Sequence, residues 1–281
     1  MKELINHITA QLATVYPEDE AQALAWWLME EETGLSRSQI LTGCKGTTNF
    51  SNLQEIVERI LHFEPIQYIF GHTLWNGLDL KVTPATLIPR PETAELVERI
   101  SNFKFNISNL IFQISNCRVL DIGTGSGCIA IALKKAHPEW QVTGIDISEE
   151  AIEVAKENAK RNGVEVEFLV ADIFNLPSSI SNLQYDIIVS NPPYICESEK
   201  VSMRPNVLNY EPATALFVPD NDPLKFYRRI AELKLGNYLF FEINEAYPDE
   251  LSAMLSELGY TDIQITNDIY GKPRIIEARM A

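Results

Sequence analysis

The chain reads as α/β: an open, mostly parallel sheet of seven strands with helices on its faces. A helical bundle precedes the sheet, and a β-hairpin joins the two. Three observations predict this. From Arg118 onward short apolar strands alternate with helical segments, the mark of a mostly parallel sheet. Residues 1 to about 72 carry helical periodicity and little strand signal. Between them, Asn76-Gly77 sits between two alternating segments in the stretch Leu74 to Val82, a strong hairpin signal. The expected division is 1–72 for the helical domain, 73–90 for the hairpin linker and 91–281 for the sheet domain.

A length of 281 residues suits two domains, and 46% hydrophobic with 22% charged residues suits a soluble globular chain. No apolar run approaches the roughly 20 residues that span a bilayer. Met1 to His7 is amphipathic rather than signal-like. A cytoplasmic location with no membrane contact is therefore expected. Cys44, Cys117, Cys128 and Cys196 are scattered with no C-x-x-C pair, so neither a disulfide framework nor a zinc site is expected. The net charge of −16 argues against nucleic acid as the main partner, because phosphate neutralisation needs a basic surface.

In the first third, Leu4, Ile5, Ile8, Leu12 and Val15 form one stripe at helical spacing. A second helix starts at Pro17 and stops at Gly34, a third covers Ser36 to Leu41, and a fourth runs from about Ser51 to His62. Trp26 and Trp27 belong to core packing or to an aromatic interaction surface. Gly43 to Asn49 is a polar loop, and the chain changes character at Pro65 to Gly71. After the hairpin, Pro91 opens a helix through Leu96, Val97 and Ile100. Arg90 and Glu92, held by prolines in Ile88-Pro-Arg-Pro-Glu-Thr93, are either a helix entry or a rigid lip over a ligand. Residues 101 to 116 look like a frayed helix end and a connection.

Val119 to Ile122 is the first sheet strand. It runs into Gly123-Thr124-Gly125-Ser126-Gly127, a turn whose lack of Cβ atoms lets backbone approach a ligand. The next strand, Val142 to Ile145, ends in Asp146, about 20 residues on, where an acid can grip ribose hydroxyls. Strand, turn, helix, strand and acid in register predict an adenosine-containing cofactor. The spacing G-x-G-x-G, rather than G-x-G-x-x-G, leans toward S-adenosyl-L-methionine over a dinucleotide. Asp121 folds toward a cationic amino-acid moiety or caps the turn. A third strand, Val166 to Val170, leads to Asp172, placed to meet an adenine amino group or solvent, and Ile173, placed against a ring face.

The fourth strand, Ile187 to Val189, ends in Ser190-Asn191-Pro192-Pro193-Tyr194. Pro192 pushes Asn191 toward an extended backbone, and neither proline has an N–H. The exit therefore offers carbonyl oxygens and the Asn191 side-chain oxygen without competing donors. Two acceptors suit a planar –NH2 group, with Tyr194 over one face. From 195 to about 222 no periodicity is visible, and so long a connection suits a substrate lip carrying Tyr210 and Glu211. Strands follow at Tyr238 to Ile243, around Ile263 and Ile265, and around Ile275 to Ala278; the last two are expected to be antiparallel.

Asp121 to Gly127 followed by Asn191-Pro-Pro-Tyr194 resembles the class I methyltransferases that act on a planar nitrogen. Ile88 to Thr93, Pro65-Ile-Gln-Tyr-Ile-Phe-Gly71, and Asp268 with Gly271-Lys-Pro-Arg274 narrow the resemblance to the HemK/PrmC family, the release-factor glutamine N5-methyltransferases. The similarity covers nearly the whole chain. It implies a Rossmann-like class I methyltransferase sheet, an N-terminal substrate-recognition domain and S-adenosyl-L-methionine as methyl donor. The implied cofactor residues are Gly123, Thr124, Gly125, Ser126, Gly127, Asp146, Ile173 and Asn191; Asp121 and Asp172 join them on the reading of the residues above. Asn191, Pro192, Pro193 and Tyr194 are implied to hold substrate, with Asn191, Pro192 and Tyr194 as catalytic residues. The implied substrate is the glutamine of the Gly-Gly-Gln motif in peptide chain release factors. One departure is Glu242-Ile-Asn-Glu-Ala, where members often show Glu-Ile-Gly.

The rivals are an amino-methyltransferase acting on adenine N6 or guanine N2 of nucleic acid, a ribosomal-protein glutamine methyltransferase, and a non-enzymatic binding protein with a vestigial cofactor site. The acidic charge disfavours the first, and the intact turn with Asp146 disfavours the last.

Overall fold

The computed structural model describes residues 1–44, 46, 50–103, 105–107, 110–112 and 116–281, with backbone only for 105–107 and 110–112. Contacts divide the chain into two units. One comprises Met1–Gly71 and Arg204–Tyr210, the other His72–Met203 and Glu211–Ala281.

The first unit holds α1 (Lys2–Leu12), α2 (Glu18–Thr33), α3 (Arg37–Leu41), α4 (Leu53–Leu61) and α5 (Ile66–Phe70). Ile5, Ile8 and Leu12 turn one stripe inward against Ala25, Leu28 and Met29 of α2 and Val57 and Ile60 of α4. Val15, read as the end of that stripe, lies beyond α1 and is exposed. Ser36 caps α3 through a capping box with Gln39, which satisfies two otherwise orphaned N–H groups. Gly34 ends α2 in the left-handed conformation. Trp26 is buried in this core, while Trp27 is half-buried and donates to Glu31. Pro65 and Gly71 cap α5, a helix too short for periodicity to reveal. Arg204 pairs with Glu20 at 2.7 Å, and the Tyr210 hydroxyl donates to the His62 carbonyl. These contacts tie the inserted segment into the bundle. The polar loop expected at 43–49 falls partly outside the described residues.

The second unit begins with the hairpin β1 (His72–Trp75) and β2 (Leu78–Lys81), closed by Asn76 and Gly77, both at positive φ. That is the two-residue turn whose twist matches paired strands. The hairpin is locked onto α8 (Glu149–Arg161): Asn158 exchanges hydrogen bonds with the Lys81 backbone, and Asn162 donates to the Asp79 carbonyl. It packs as part of the sheet unit rather than as a free link. Next come α6 (Pro91–Ser101) and a small antiparallel pair, β3 (Phe105–Ile107) and β4 (Leu110–Phe112), where a frayed connection was expected.

The main strands are β5 (Arg118–Ile122), β6 (Gln141–Asp146), β7 (Glu167–Val170), β8 (Tyr185–Ser190), β11 (Gly236–Glu242), β12 (Tyr260–Asn267) and β13 (Pro273–Met280). They form the expected seven-stranded sheet in the order β12-β13-β11-β8-β5-β6-β7. β5, β6, β7, β8 and β11 run parallel; β13 is antiparallel to both its neighbours. Alternate residues serve opposite faces. Val119, Ile187 and Phe240 pack with α6, α7 (Cys128–Ala136) and α8. Leu120, Ile188 and Phe241 pack with α11 (Lys225–Glu232) and α12 (Pro248–Glu257). Burial on both faces explains why these strands read as continuous apolar runs. No described helix is long and apolar enough to cross a membrane.

Residues 195–222 are more ordered than their sequence predicts. β9 (Ile195–Cys196) pairs in parallel with β10 (Phe217–Val218), and α10 (Pro205–Leu208) and two 3₁₀ turns lie between them. Elements of two to six residues are too short to leave a periodic signal. A four-residue helix, α9 (Ser178–Ser181), was missed for the same reason.

Candidate active site

The chain leaves β5, builds β6 and β7 to one side, then returns to place β8 on the other. The crevice between the carboxyl ends of β5 and β8 is thus the topological switch point, where open α/β sheets bind ligands. Ser190 closes its base by donating to the Ile122 carbonyl at 2.6 Å. Above it lies a cavity of about 460 Å³, within the range of small-molecule sites.

The glycine turn forms one wall. Gly123 and Thr124 N–H groups both donate to the Ile145 carbonyl, and Gly125 N–H donates to Asp146 Oδ2 at 2.9 Å. Gly125 and Gly127 stand at positive φ, which L side chains rarely adopt, and a Cβ on Gly127 would meet Ala155, Ile131 and Phe168 at 3.1 Å. Asp146 also takes the Ser148 N–H on Oδ1. Its carboxylate therefore braces the turn and still offers lone pairs to the cavity. Burial raises its pKa, opposed by those two N–H groups.

Gly123, Thr124, Gly125, Ser126, Asp146, Asp172, Ile173, Asn191, Pro192 and Pro193 all line this one cavity. Asp121, Gly127 and Tyr194 do not. Asp121 is fully buried beneath the turn and accepts the Thr124 hydroxyl at 2.6 Å, the turn-capping arrangement. Gly127 is the residue preceding α7. The Tyr194 ring packs partly buried against the sheet core instead, and its hydroxyl donates to Glu242 Oε1 at 3.1 Å. Several lining residues escaped sequence reasoning. Ile147 lies next to Asp146 and is exposed, but a lone exposed isoleucine is an ordinary surface feature. Phe226 comes from α11, and Thr93 from α6; only tertiary structure brings them here.

The Pro-rich entry of α6 is held by Glu211. Arg90 Nη2 contacts Glu211 Oε1 at 2.6 Å, and Glu211 Oε2 accepts the Ile88 N–H. The buried Glu211 carboxylate thereby joins the Pro-rich entry of α6 to the connection after β8. The Trp75 indole donates to the Arg90 carbonyl, which also ties the hairpin to this lip. Glu92 makes no cavity contact. Asn244, at the family departure, donates to the Tyr194 carbonyl and to Glu199.

Burial pushes Asp121 up to about 7, against the pull of the Thr124 hydrogen bond. A carboxyl whose pKa is raised on folding holds its proton more tightly when folded. Stability therefore falls as pH rises from about 4 to about 7, by on the order of 4 kcal/mol. Asp121→Asn has no such titration. Its melting temperature is expected to gain on wild type between about pH 5 and pH 8. A gap that stays flat across that range would mean that Asp121 is charged in the folded chain throughout.

The donor set fits S-adenosyl-L-methionine. The strand-end Asp146 carboxylate can accept from hydroxyls, Ile147 and Ile173 offer apolar faces, and the glycine turn leaves room at the backbone. Comparison with known proteins points the same way. Residues 3–71 match the PrmC N-terminal domain family, and residues 113–233 match a methyltransferase domain family. The chain is 42% identical over 290 residues to a release factor glutamine methyltransferase of Bacteroides thetaiotaomicron, covering 99% of each. It is 41% identical to one of Flavobacterium psychrophilum, covering 99% of this chain and 98% of that one. Among solved structures, the hMettl16 catalytic domain in complex with the MAT2A 3'UTR hairpin 6 aligns with a TM-score of 0.57. It covers 97% of this chain and 92% of that one at 16% identity, a likeness of fold.

Proposed function

We propose that this chain, which belongs to the release factor glutamine methyltransferase family, transfers a methyl group to the side-chain amide nitrogen of a release-factor glutamine. The observation that carries the reading is one cavity lined by both the Asp146 carboxylate and the Asn191-Pro192-Pro193 strand exit. S-adenosyl-L-methionine, when bound, supplies an electrophilic methyl group on its sulfonium. The chain's own residues hold and aim the acceptor.

An amide nitrogen is a poor nucleophile, because its lone pair is delocalised into the carbonyl. Asn191 Oδ1 and the Pro192 carbonyl accept its two N–H groups, and Pro192 and Pro193 contribute no N–H to compete. Orientation supplies most of the rate, and the two acceptors stabilise positive charge developing on nitrogen. Tyr194 is the half-buried ring that closes the tetrapeptide, held by Glu242 and by Asn244 on its carbonyl. Asp146 takes the cofactor's ribose hydroxyls, Asp172 its adenine amino group, and Ile173 its ring face. Asp121 serves by holding Thr124, so its effect on the cofactor is carried by the turn. Residues 1–72 act as the substrate-recognition domain. The glutamine is that of the Gly-Gly-Gln motif, and the reaction belongs in the cytoplasm, where four free cysteines are at home.

The deciding experiment supplies labelled methyl donor with purified release factor, ribosomal protein, rRNA and DNA in parallel. Label on the release-factor glutamine alone is expected. Label on rRNA or DNA instead would overturn the assignment, as would label confined to the ribosomal protein.

A further inference from the structure

Glu242, at the end of β11, is a buried carboxylate with two hydrogen-bond donors aimed at it. The Thr93 hydroxyl donates to Oε2 at 2.6 Å and the Tyr194 hydroxyl to Oε1 at 3.1 Å. Burial raises its pKa, while both hydroxyls and the nearby Arg274 favour its charged form. Both hydroxyls donate to it, the arrangement that suits an ionised carboxylate, which can only accept.

A threonine hydroxyl has one proton, and here Glu242 takes it. Toward Asn191, Thr93 Oγ1 therefore presents lone pairs only, and Asn191 Nδ2 lies 3.3 Å from it. The opposite rotamer of the same planar amide has almost the same shape, but it would set Oδ1 against another acceptor. Shape cannot choose between the two; the proton inventory can.

We propose that Thr93 and Glu242 are positioning residues that fix which way round the Asn191 amide faces, keeping Oδ1 free to accept an N–H of the substrate amide. This rests on the reading of the cavity given above. Glu242 also holds Tyr194, so one carboxylate on a neighbouring strand orders both ends of the tetrapeptide. The inverted amide would present a donor to a substrate –NH2 group, two donors facing each other.

The full-length enzyme is compared with Thr93→Val, Thr93→Ser and Glu242→Gln, each checked for a cooperative melt. In Glu242→Gln the new amide can donate to Thr93, which lets the hydroxyl proton point at Asn191 and the amide turn over. Two readouts are taken: release-factor methylation kinetics with donor binding, and exchange of the Asn191 side-chain amide protons, assigned by NMR from their loss in Asn191→Ala. Thr93→Val and Glu242→Gln are expected to lose about 10²-fold in kcat, while KM and donor Kd stay within about threefold. Thr93→Ser restores kcat to within about threefold of wild type. One Asn191 amide proton exchanges slowly in wild type and Thr93→Ser, and fast in Thr93→Val.

Undiminished kcat or unchanged slow exchange in Thr93→Val overturns the proposal. So does a loss of kcat matched by an equal loss of donor affinity, which marks a purely structural role. A wild-type enzyme that labels no release factor would instead sink the substrate assignment, and the amide-exchange series would still decide the amide's orientation.

Discussion

Asn191→Ala is expected to reduce kcat for release-factor methylation by at least about 10³-fold while changing the Kd for S-adenosyl-L-methionine only a few-fold. The side chain lines the cavity, and its anchoring contact is the Thr93 hydroxyl on α6 rather than any residue of the glycine turn. Truncation removes an acceptor from the substrate amide but leaves the Gly125–Asp146 brace intact. Because the prolines and the Ser190–Ile122 bond hold the backbone, the loss should fall on the chemical step. Single-turnover kinetics with pre-bound donor, set beside calorimetric donor binding, separate the two effects. A variant that keeps wild-type turnover would remove Asn191 from the mechanism. One that loses turnover only in proportion to donor binding would make it a cofactor residue alone.

Asp146→Ala is expected to act at the other wall, raising the donor Kd by about 10²-fold or more. The carboxylate accepts Gly125 N–H at 2.9 Å and Ser148 N–H at 3.0 Å, and it offers its remaining lone pairs to the cavity. Charge-assisted hydrogen bonds are worth about 1.5–3 kcal/mol each, and two lost together amount to at least two decades in affinity. Burial raises the pKa of this group, so it is protonated more readily than an exposed aspartate. Donor binding by the wild type should therefore weaken as pH falls, from a higher pH than an ordinary carboxylate would give, and the alanine variant should lack that dependence. Calorimetric titrations across a pH series test both points. Equal affinities for the two proteins would remove Asp146 from cofactor binding.

These two residues were visible in the sequence for a shared reason. Each lies at the carboxyl end of an apolar strand, and the order strand, glycine turn, helix, strand and acid is local enough to read in one dimension. The hairpin was equally plain, since Asn76-Gly77 has the positive φ values its two-residue turn needs. Asp121 shows where such reading divides. Sequence placed it before the turn but left open whether it faced a ligand or the turn; in the structure it is buried and accepts the Thr124 hydroxyl. Residues 195–222 were opaque, because strands of two residues carry no period and their pairing partners lie some 20 positions away.

What the sequence by itself determined is the fold class, the family and the two strand ends that face the crevice, because hydrophobic period, glycine and proline positions act through neighbouring backbone. Tertiary structure alone decided what surrounds those ends. Thr93 reaches Asn191 across 98 positions, and Glu242 reaches Thr93 across 149. Arg90 finds Glu211 across 121. Such pairings come from helices packing on sheet faces and strands meeting out of chain order, and no local pattern encodes them. The strand exit that presents acceptors is thus written in Asn191-Pro192-Pro193, while the direction in which the asparagine amide points depends on a carboxylate on the neighbouring strand.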